Sequence, residues 1–292
     1  MVLKYQFKNE YMSIVNQKTI SAVLCNAECF LKESQVPDAK VDAELILAHF
    51  LHCKRTELYL AKDEEIADDC LKKIESALQK RSIRYPLQYI FQEIEFLNSK
   101  LYVDENTLIA RPETEYLCDL IIKENMGKAL DILDIGTGSG AIAISLKKGL
   151  RNSCVDAVDI SDNALGIAVN NAVSNSVIVN FFASDLFENI NKKYDLIVSN
   201  PPYIAESDYE SLEAEIFFEP KIALVADQDG LQCIFKILES APNYMKKDAC
   251  LYIEFGYQQA ELIVEFAKKY KYKSIKIIKD LSGFDRFIKL EV

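Results

Sequence analysis

Asp134-Ile135-Gly136-Thr137-Gly138-Ser139-Gly140 is the stretch on which the fold turns. It follows an expected strand at residues 130–135 and opens an expected helix. Glycine tolerates the left-handed backbone that a tight strand-to-helix turn needs, and it lets a ligand approach the main chain. Asp159 closes the next expected strand, where a carboxylate can accept hydrogen bonds from both hydroxyls of a ribose. Outward from this unit, strand signals recur at residues 130–135, 154–160, 178–182, 194–199, 250–255, 274–279 and 284–292. Helical patterns separate most of them, which predicts an α/β fold: a mainly parallel, Rossmann-like sheet of seven strands. Only residues 280–283 join the last two strands. So short a link cannot carry a parallel crossover, so the last strand is expected to be antiparallel.

The glycine loop alone leaves several readings open. Gly136, Gly138 and Ala141 satisfy the dinucleotide pattern G-x-G-x-x-G/A, so a nicotinamide enzyme enters the comparison. The denser Gly136/Gly138/Gly140 spacing after an acid instead resembles the first motif of methyltransferases. A glycine-rich turn with no ligand is the bland alternative. No lysine accompanies the motif, which sets aside a phosphate-binding P-loop.

Asn200-Pro201-Pro202-Tyr203, after the strand at 194–199, narrows the choice. The ends of central strands in an open parallel sheet face the ligand crevice. Two prolines with fixed φ and no N–H make a stiff loop whose carbonyls stay free to accept. Asn200 adds a side-chain acceptor and Tyr203 a flat aromatic face. This set suits a planar group bearing an NH2, whose two N–H bonds Asn200 and the Pro201 carbonyl can grip. A rigid connecting loop is the alternative. Both histidines, His49 and His52, lie far upstream of the sheet, so a Ser-His pair within it is excluded.

Toward the N-terminus the character changes. Ile20, Val23, Leu24, Ala27, Phe30 and Leu31 recur at helical spacing, as do Ala43, Leu45, Ile46, Leu47 and Phe50. A third helix is expected from 68 to 81, with Leu71, Ile74 and Leu78 on one face, and Asp38 is placed to cap the second. The helical region starts near residue 11 and contains no glycine. After Tyr85-Pro86, residues 87–109 read as strands around a turn at Asn98-Ser99-Lys100. The expected organisation is therefore a helical domain at 1–85, a β-hairpin linker at 86–109, and the sheet domain at 110–292.

Composition removes several function classes. A net charge of −11 argues against nucleic-acid binding through a general basic surface. The eight cysteines lack disulfide or zinc spacing and read as free thiols in a reducing compartment; no metal is expected. Residues 1–17 lack the pattern of a signal peptide, and no stretch is apolar for the roughly 18 residues of a membrane helix. A cytoplasmic protein without membrane association is expected.

Taken together, these segments resemble the peptide chain release factor N5-glutamine methyltransferases, the HemK/PrmC family. The resemblance covers nearly the whole chain: residues 42–47, 86–90, the Leu108–Glu115 run, the glycine loop, Asn200–Tyr203, Phe218-Glu219-Pro220, Asp229-Gly230-Leu231, 254–259 and 280–286. Asn-Pro-Pro-Tyr is shared with adenine methyltransferases, whereas the Arg111–Glu115 segment is narrower. The resemblance implies a class I S-adenosylmethionine methyltransferase domain. It also implies methyl transfer to the glutamine amide of the Gly-Gly-Gln motif in class I release factors, with the helical domain holding that protein. Gly136, Thr137, Gly138, Ser139 and Gly140 are then expected to hold the methionine part of the cofactor and Asp159 its ribose. Asp185 and Leu186 are expected to lie beside the adenine. Asn200, Pro201, Pro202 and Tyr203 act on the substrate amide; Asn200 also borders the cofactor, and Arg111 and Glu113 wall the substrate site or pair as a salt bridge. An adenine-N6 nucleic-acid methyltransferase and a non-catalytic module on the same fold remain as alternatives; a monomer with no direct nucleic-acid partner is expected. Two departures stand out: Gln92 where the family usually has glycine, and Ala110 where it usually has proline.

Overall fold

The computed structural model describes residues 18–292. The expectations for residues 1–17, including a helix from residue 11, lie outside the described residues. The chain divides into two units between Phe91 and Gln92.

The first unit contains helices α1 (Ile20–Glu33), α2 (Ala39–Leu51), α3 (Arg55–Leu60), α4 (Asp68–Ser82) and α5 (Leu87–Phe91). The apolar stripes seen in sequence converge: Val23, Ala27 and Leu31 of α1 share one core with Ala43, Ile46 and Leu47 of α2 and Ile74 and Leu78 of α4. Asp38 does stand at the N-cap of α2, but its side chain makes no capping hydrogen bond. A buried ion pair, Arg81 Nε to Asp42 Oδ2 at 2.6 Å, ties α4 to α2. Removing either partner strands a charge in the core, which is where such pairs matter most.

Residues 87–91 correct the sequence expectation. They are helical, not extended: the Tyr89 and Ile90 N–H groups both donate to the Pro86 carbonyl. A short apolar run does not distinguish strand from buried helix, and here the helix presents Leu87, Ile90 and Phe91 to the core of the first unit. The hairpin is shorter than expected, β1 (Glu93–Phe96) against β2 (Ser99–Tyr102). Its turn falls at Leu97-Asn98, with Leu97 at φ +48°, so Ser99 and Lys100 belong to the strand. Gln92 takes φ +57°, a backbone conformation glycine adopts without strain.

The second unit holds the hairpin and a seven-stranded sheet. After α6 (Pro112–Glu124) the elements run β3 (Asp131–Ile135), α7 (Ala141–Gly149), β4 (Cys154–Asp159), α8 (Asp162–Ser174), β5 (Asn180–Ala183) and β6 (Tyr194–Ser199). A long segment carries the short helix α9 (Glu206–Tyr209). Then follow α10 (Gln232–Ser240), β7 (Met245–Glu254), α11 (Ala260–Ala267), β8 (Ser274–Lys279) and β9 (Asp285–Glu291). The strand order is β5-β4-β3-β6-β7-β9-β8. Strands β3 to β7 pair in parallel, and β9 lies antiparallel between β7 and β8. The seven-stranded α/β sheet and antiparallel last strand expected from sequence are thus present. β5 starts two residues later than expected, at Asn180.

The strand order reverses between β3 and β6, and an open parallel sheet opens its ligand crevice at such a reversal. Ile135 and Ser199 pair in register there, and the Ser199 hydroxyl donates to the Ile135 carbonyl at 2.8 Å. The two loops singled out in sequence therefore leave the sheet side by side. Behind them Leu133, Ile197, Ile234, Leu251 and Phe255 form part of a continuous core. The hairpin is clasped to this unit: Asn171 Oδ1 accepts from the Tyr102 N–H and its Nδ2 donates to the Tyr102 carbonyl.

Candidate active site

A cavity of about 650 Å³ opens at the reversal point, within the roughly 300–1,000 Å³ typical of small-molecule sites. Gly136, Gly138, Asp159, Asp185 and Leu186 line one part of it, and Asn200, Pro201 and Pro202 another.

The glycine loop is shaped by backbone conformation. Gly136 and Gly138 sit at φ +72° and +55°, and a Cβ added to either would meet no atom within 4 Å. Their bare faces border the cavity, leaving the main chain approachable. Thr137, Ser139 and Gly140 are buried and do not line it. The Thr137 hydroxyl instead donates to Asp134 Oδ2 at 2.6 Å. Burial pushes the Asp134 carboxyl up to about 7, against the pull of that bond. Asp159 Oδ2 accepts from the Gly138 N–H at 2.8 Å and its Oδ1 from the Ser161 N–H at 2.9 Å. Burial raises its carboxyl above the ordinary value, and those N–H groups oppose the shift. Beside the Ser161, Gly138 and Ile160 N–H groups the carboxylate keeps acceptor capacity for a ligand hydroxyl.

The Asn200 loop is held by side chains instead. Asn200 Nδ2 donates to Thr114 Oγ1 at 3.0 Å, and the Thr114 hydroxyl donates to Glu254 Oε2 at 2.7 Å. The Tyr203 hydroxyl reaches Glu254 Oε1 at 3.3 Å. Glu254 is 1% exposed, and burial lifts its carboxyl to about 7 despite the Thr114 bond and the positive charge of Arg286. Burial beside Glu254 also pushes the Tyr203 hydroxyl up. Tyr203 does not line the cavity; its carbonyl accepts from Gln259 Nε2 at 2.9 Å. Gly230, at φ +79°, packs so closely that an added Cβ would lie 2.1 Å from the Tyr203 carbonyl oxygen.

Arg111 and Glu113 do not pair with each other. Arg111 Nη2 donates to Glu219 Oε1 at 2.6 Å, and Glu219 Oε2 accepts from the Ile109 N–H at 2.9 Å. Neither Arg111 nor Glu113 lines the cavity. Thr114, Glu219, Gly230, Glu254 and Gln259 fall within segments quoted from the sequence, yet no role attached to them there. One signal was available: Glu254 ends a strand whose preceding residues, Leu251-Tyr252-Ile253, are all apolar.

Comparison with known proteins matches the two units separately. Residues 22–91 match the PrmC N-terminal domain and residues 114–253 the Methyltransferase small domain. A protein of Flavobacterium psychrophilum named Release factor glutamine methyltransferase is 41% identical over 254 residues, spanning 84% of this chain and 89% of that one. The chain belongs to the release factor glutamine methyltransferase family. A Streptococcus pneumoniae member is 40% identical, over 80% of this chain and 85% of its own. Among solved structures, a methyltransferase from Pyrococcus furiosus shares the fold at a TM-score of 0.52 and 18% identity, covering 77% of this chain and 98% of that one.

The donor set suits the cofactor of this methyltransferase fold. S-adenosylmethionine presents a ribose, an adenine and a zwitterionic methionine tail. The bare glycine faces, the Asp159 carboxylate and the Asp185-Leu186 pair border one cavity of adequate volume.

Proposed function

We propose that this enzyme transfers a methyl group from S-adenosylmethionine to the side-chain amide nitrogen of the glutamine in the Gly-Gly-Gln motif of class I peptide chain release factors. The observation that carries the reading is the shared cavity: Gly136, Gly138 and Asp159 line it together with Asn200, Pro201 and Pro202. Family membership supplies the substrate.

When bound, S-adenosylmethionine supplies a methyl carbon already activated by its sulfonium sulfur. The bare faces of Gly136 and Gly138 receive its methionine part, Asp159 its ribose, and Asp185 with Leu186 its adenine. An amide nitrogen is a poor nucleophile because its lone pair is delocalised. Asn200 Oδ1 and the Pro201 carbonyl accept its two N–H bonds. They orient the nitrogen and stabilise the positive charge that builds on it. As the nitrogen–carbon bond forms, the sulfur–methyl bond would break with its electron pair left on sulfur as a neutral thioether, and one amide proton would pass to water.

We assign the holding of the release factor to the helical unit. Arg111, braced by Glu219, together with Glu113, supports the segment that enters the substrate side. The acidic chain, at net charge −11, favours a protein acceptor over nucleic acid. We take the enzyme to act as a monomer in the cytoplasm. No helix among the described residues is long and apolar enough to cross a membrane.

The test is transfer of labelled methyl to purified release factor, with a Gly-Gly-Ala variant and single-stranded DNA as parallel acceptors. Label on the Gly-Gly-Gln protein alone is expected. Label on DNA, or equal label on the Gly-Gly-Ala variant, overturns the assignment.

A further inference from the structure

An asparagine carboxamide has nearly the same shape in its two flipped orientations, yet only one serves this reaction. With Oδ1 toward the substrate, Asn200 accepts from the incoming NH2; flipped, it would set one NH2 against another. We propose that Thr114 and Glu254 are positioning residues that fix this orientation, making them determinants of turnover without touching the substrate. The inference rests on the proposed amide substrate.

The polarity of the relay carries the argument. A threonine hydroxyl has one proton to give. Thr114 directs it at Glu254 Oε2, 2.7 Å away and buried with it. Toward Asn200, at 3.0 Å, Thr114 can then only accept, so Asn200 must offer its NH2 on that side. Oδ1 is left facing the other way. As the carboxylate, Glu254 accepts from the Thr114 hydroxyl at Oε2 and from the Tyr203 hydroxyl at Oε1, and in that form it sets the polarity of the relay. The three residues come from α6, the end of β6 and the end of β7, so the sheet sets their spacing.

Thr114→Val keeps the shape and deletes the hydroxyl; Thr114→Ser keeps the hydroxyl. In Thr114→Val, kcat for Gly-Gly-Gln methylation should fall about tenfold or more, with KM for the release factor and the cofactor dissociation constant within about threefold. Thr114→Ser should recover most of that loss. The Asn200 side-chain NH2 resonances of the ligand-free protein should shift in Thr114→Val and return in Thr114→Ser. Wild-type kcat in Thr114→Val, or an equal loss in both variants with unmoved Asn200 resonances, overturns the relay while leaving the methyltransferase assignment intact. A wild-type enzyme that does not label the Gly-Gly-Gln protein overturns both.

Discussion

Two loops leave adjacent strands at the reversal point and are built by opposite means. The glycine loop after β3 takes its shape locally, from positive φ at Gly136, Gly138 and Gly140. The Asn200 loop after β6 is stiffened by two prolines but aimed by distant residues: Thr114, Glu254, Gln259 and the close approach of Gly230. On the proposed assignment, the cofactor side is shaped by backbone and the acceptor side is aimed by a buried polar network. Local backbone shape is cheap to specify; side-chain aim requires long-range agreement.

The sharpest way to break the second construction is Asn200→Ala. Turnover should fall about 100- to 1,000-fold, the cost of removing one preorganised polar partner of a transition state. Calorimetry should find cofactor affinity within a few-fold of wild type, and unchanged turnover would sink the role given to Asn200.

Gly230→Ala attacks the same loop from behind. Overpacking against the Tyr203 carbonyl, added to a left-handed alanine, should cost about 2–4 kcal/mol in urea unfolding. A variant as stable as wild type would show that the loop yields easily.

Asp159 braces the glycine loop at the Gly138 N–H, and Asp159→Ala removes that brace. Cofactor binding should weaken by about 1–3 kcal/mol, the cost of an unpaired polar partner. Equal affinity in a binding titration would count against the ribose assignment.

The mildest probe is pH. The Glu254 carboxyl stands near 7 in the fold, above its ordinary 4.5, because it is buried. A raised folded value means that its contribution to stability is complete below about pH 4.5 and is lost as pH rises through 7. Glu254→Gln should therefore flatten the fall in stability between pH 5 and 7, by at most about 1.4 kcal/mol per pH unit for one proton. An unchanged slope in unfolding curves across that range would mean that Glu254 does not titrate there.

The same contrast decides what could be read in advance. Glycine spacing, Asp159 at a strand end and Asn-Pro-Pro-Tyr are local signals, and the strands around them were legible by alternation with helices. Thr114 meets Asn200 across 86 residues, only through the tertiary fold, and no local pattern announces it; Glu254, which reaches Asn200 through Thr114, left the single trace of an acid closing an apolar strand. Likewise Thr137 and Ser139 share the loop's composition, but the left-handed glycines turn them inward. The helix at 87–91 escaped because an apolar run after Pro86 reads equally as strand. The Leu97 turn escaped because leucine rarely adopts positive φ.

The position of β9 has a consequence for the life of the chain. Its seven residues follow β8 in sequence yet sit inside it in space, separating it from β7. Until they dock, β7 presents an unpaired rim along Cys250–Glu254 and β8 has no sheet to join. Bare rims of this kind recruit strands from other molecules. Residues 285–291 therefore act as a keystone, and the nascent enzyme is most exposed to self-association in the interval between making β7 and seating β9.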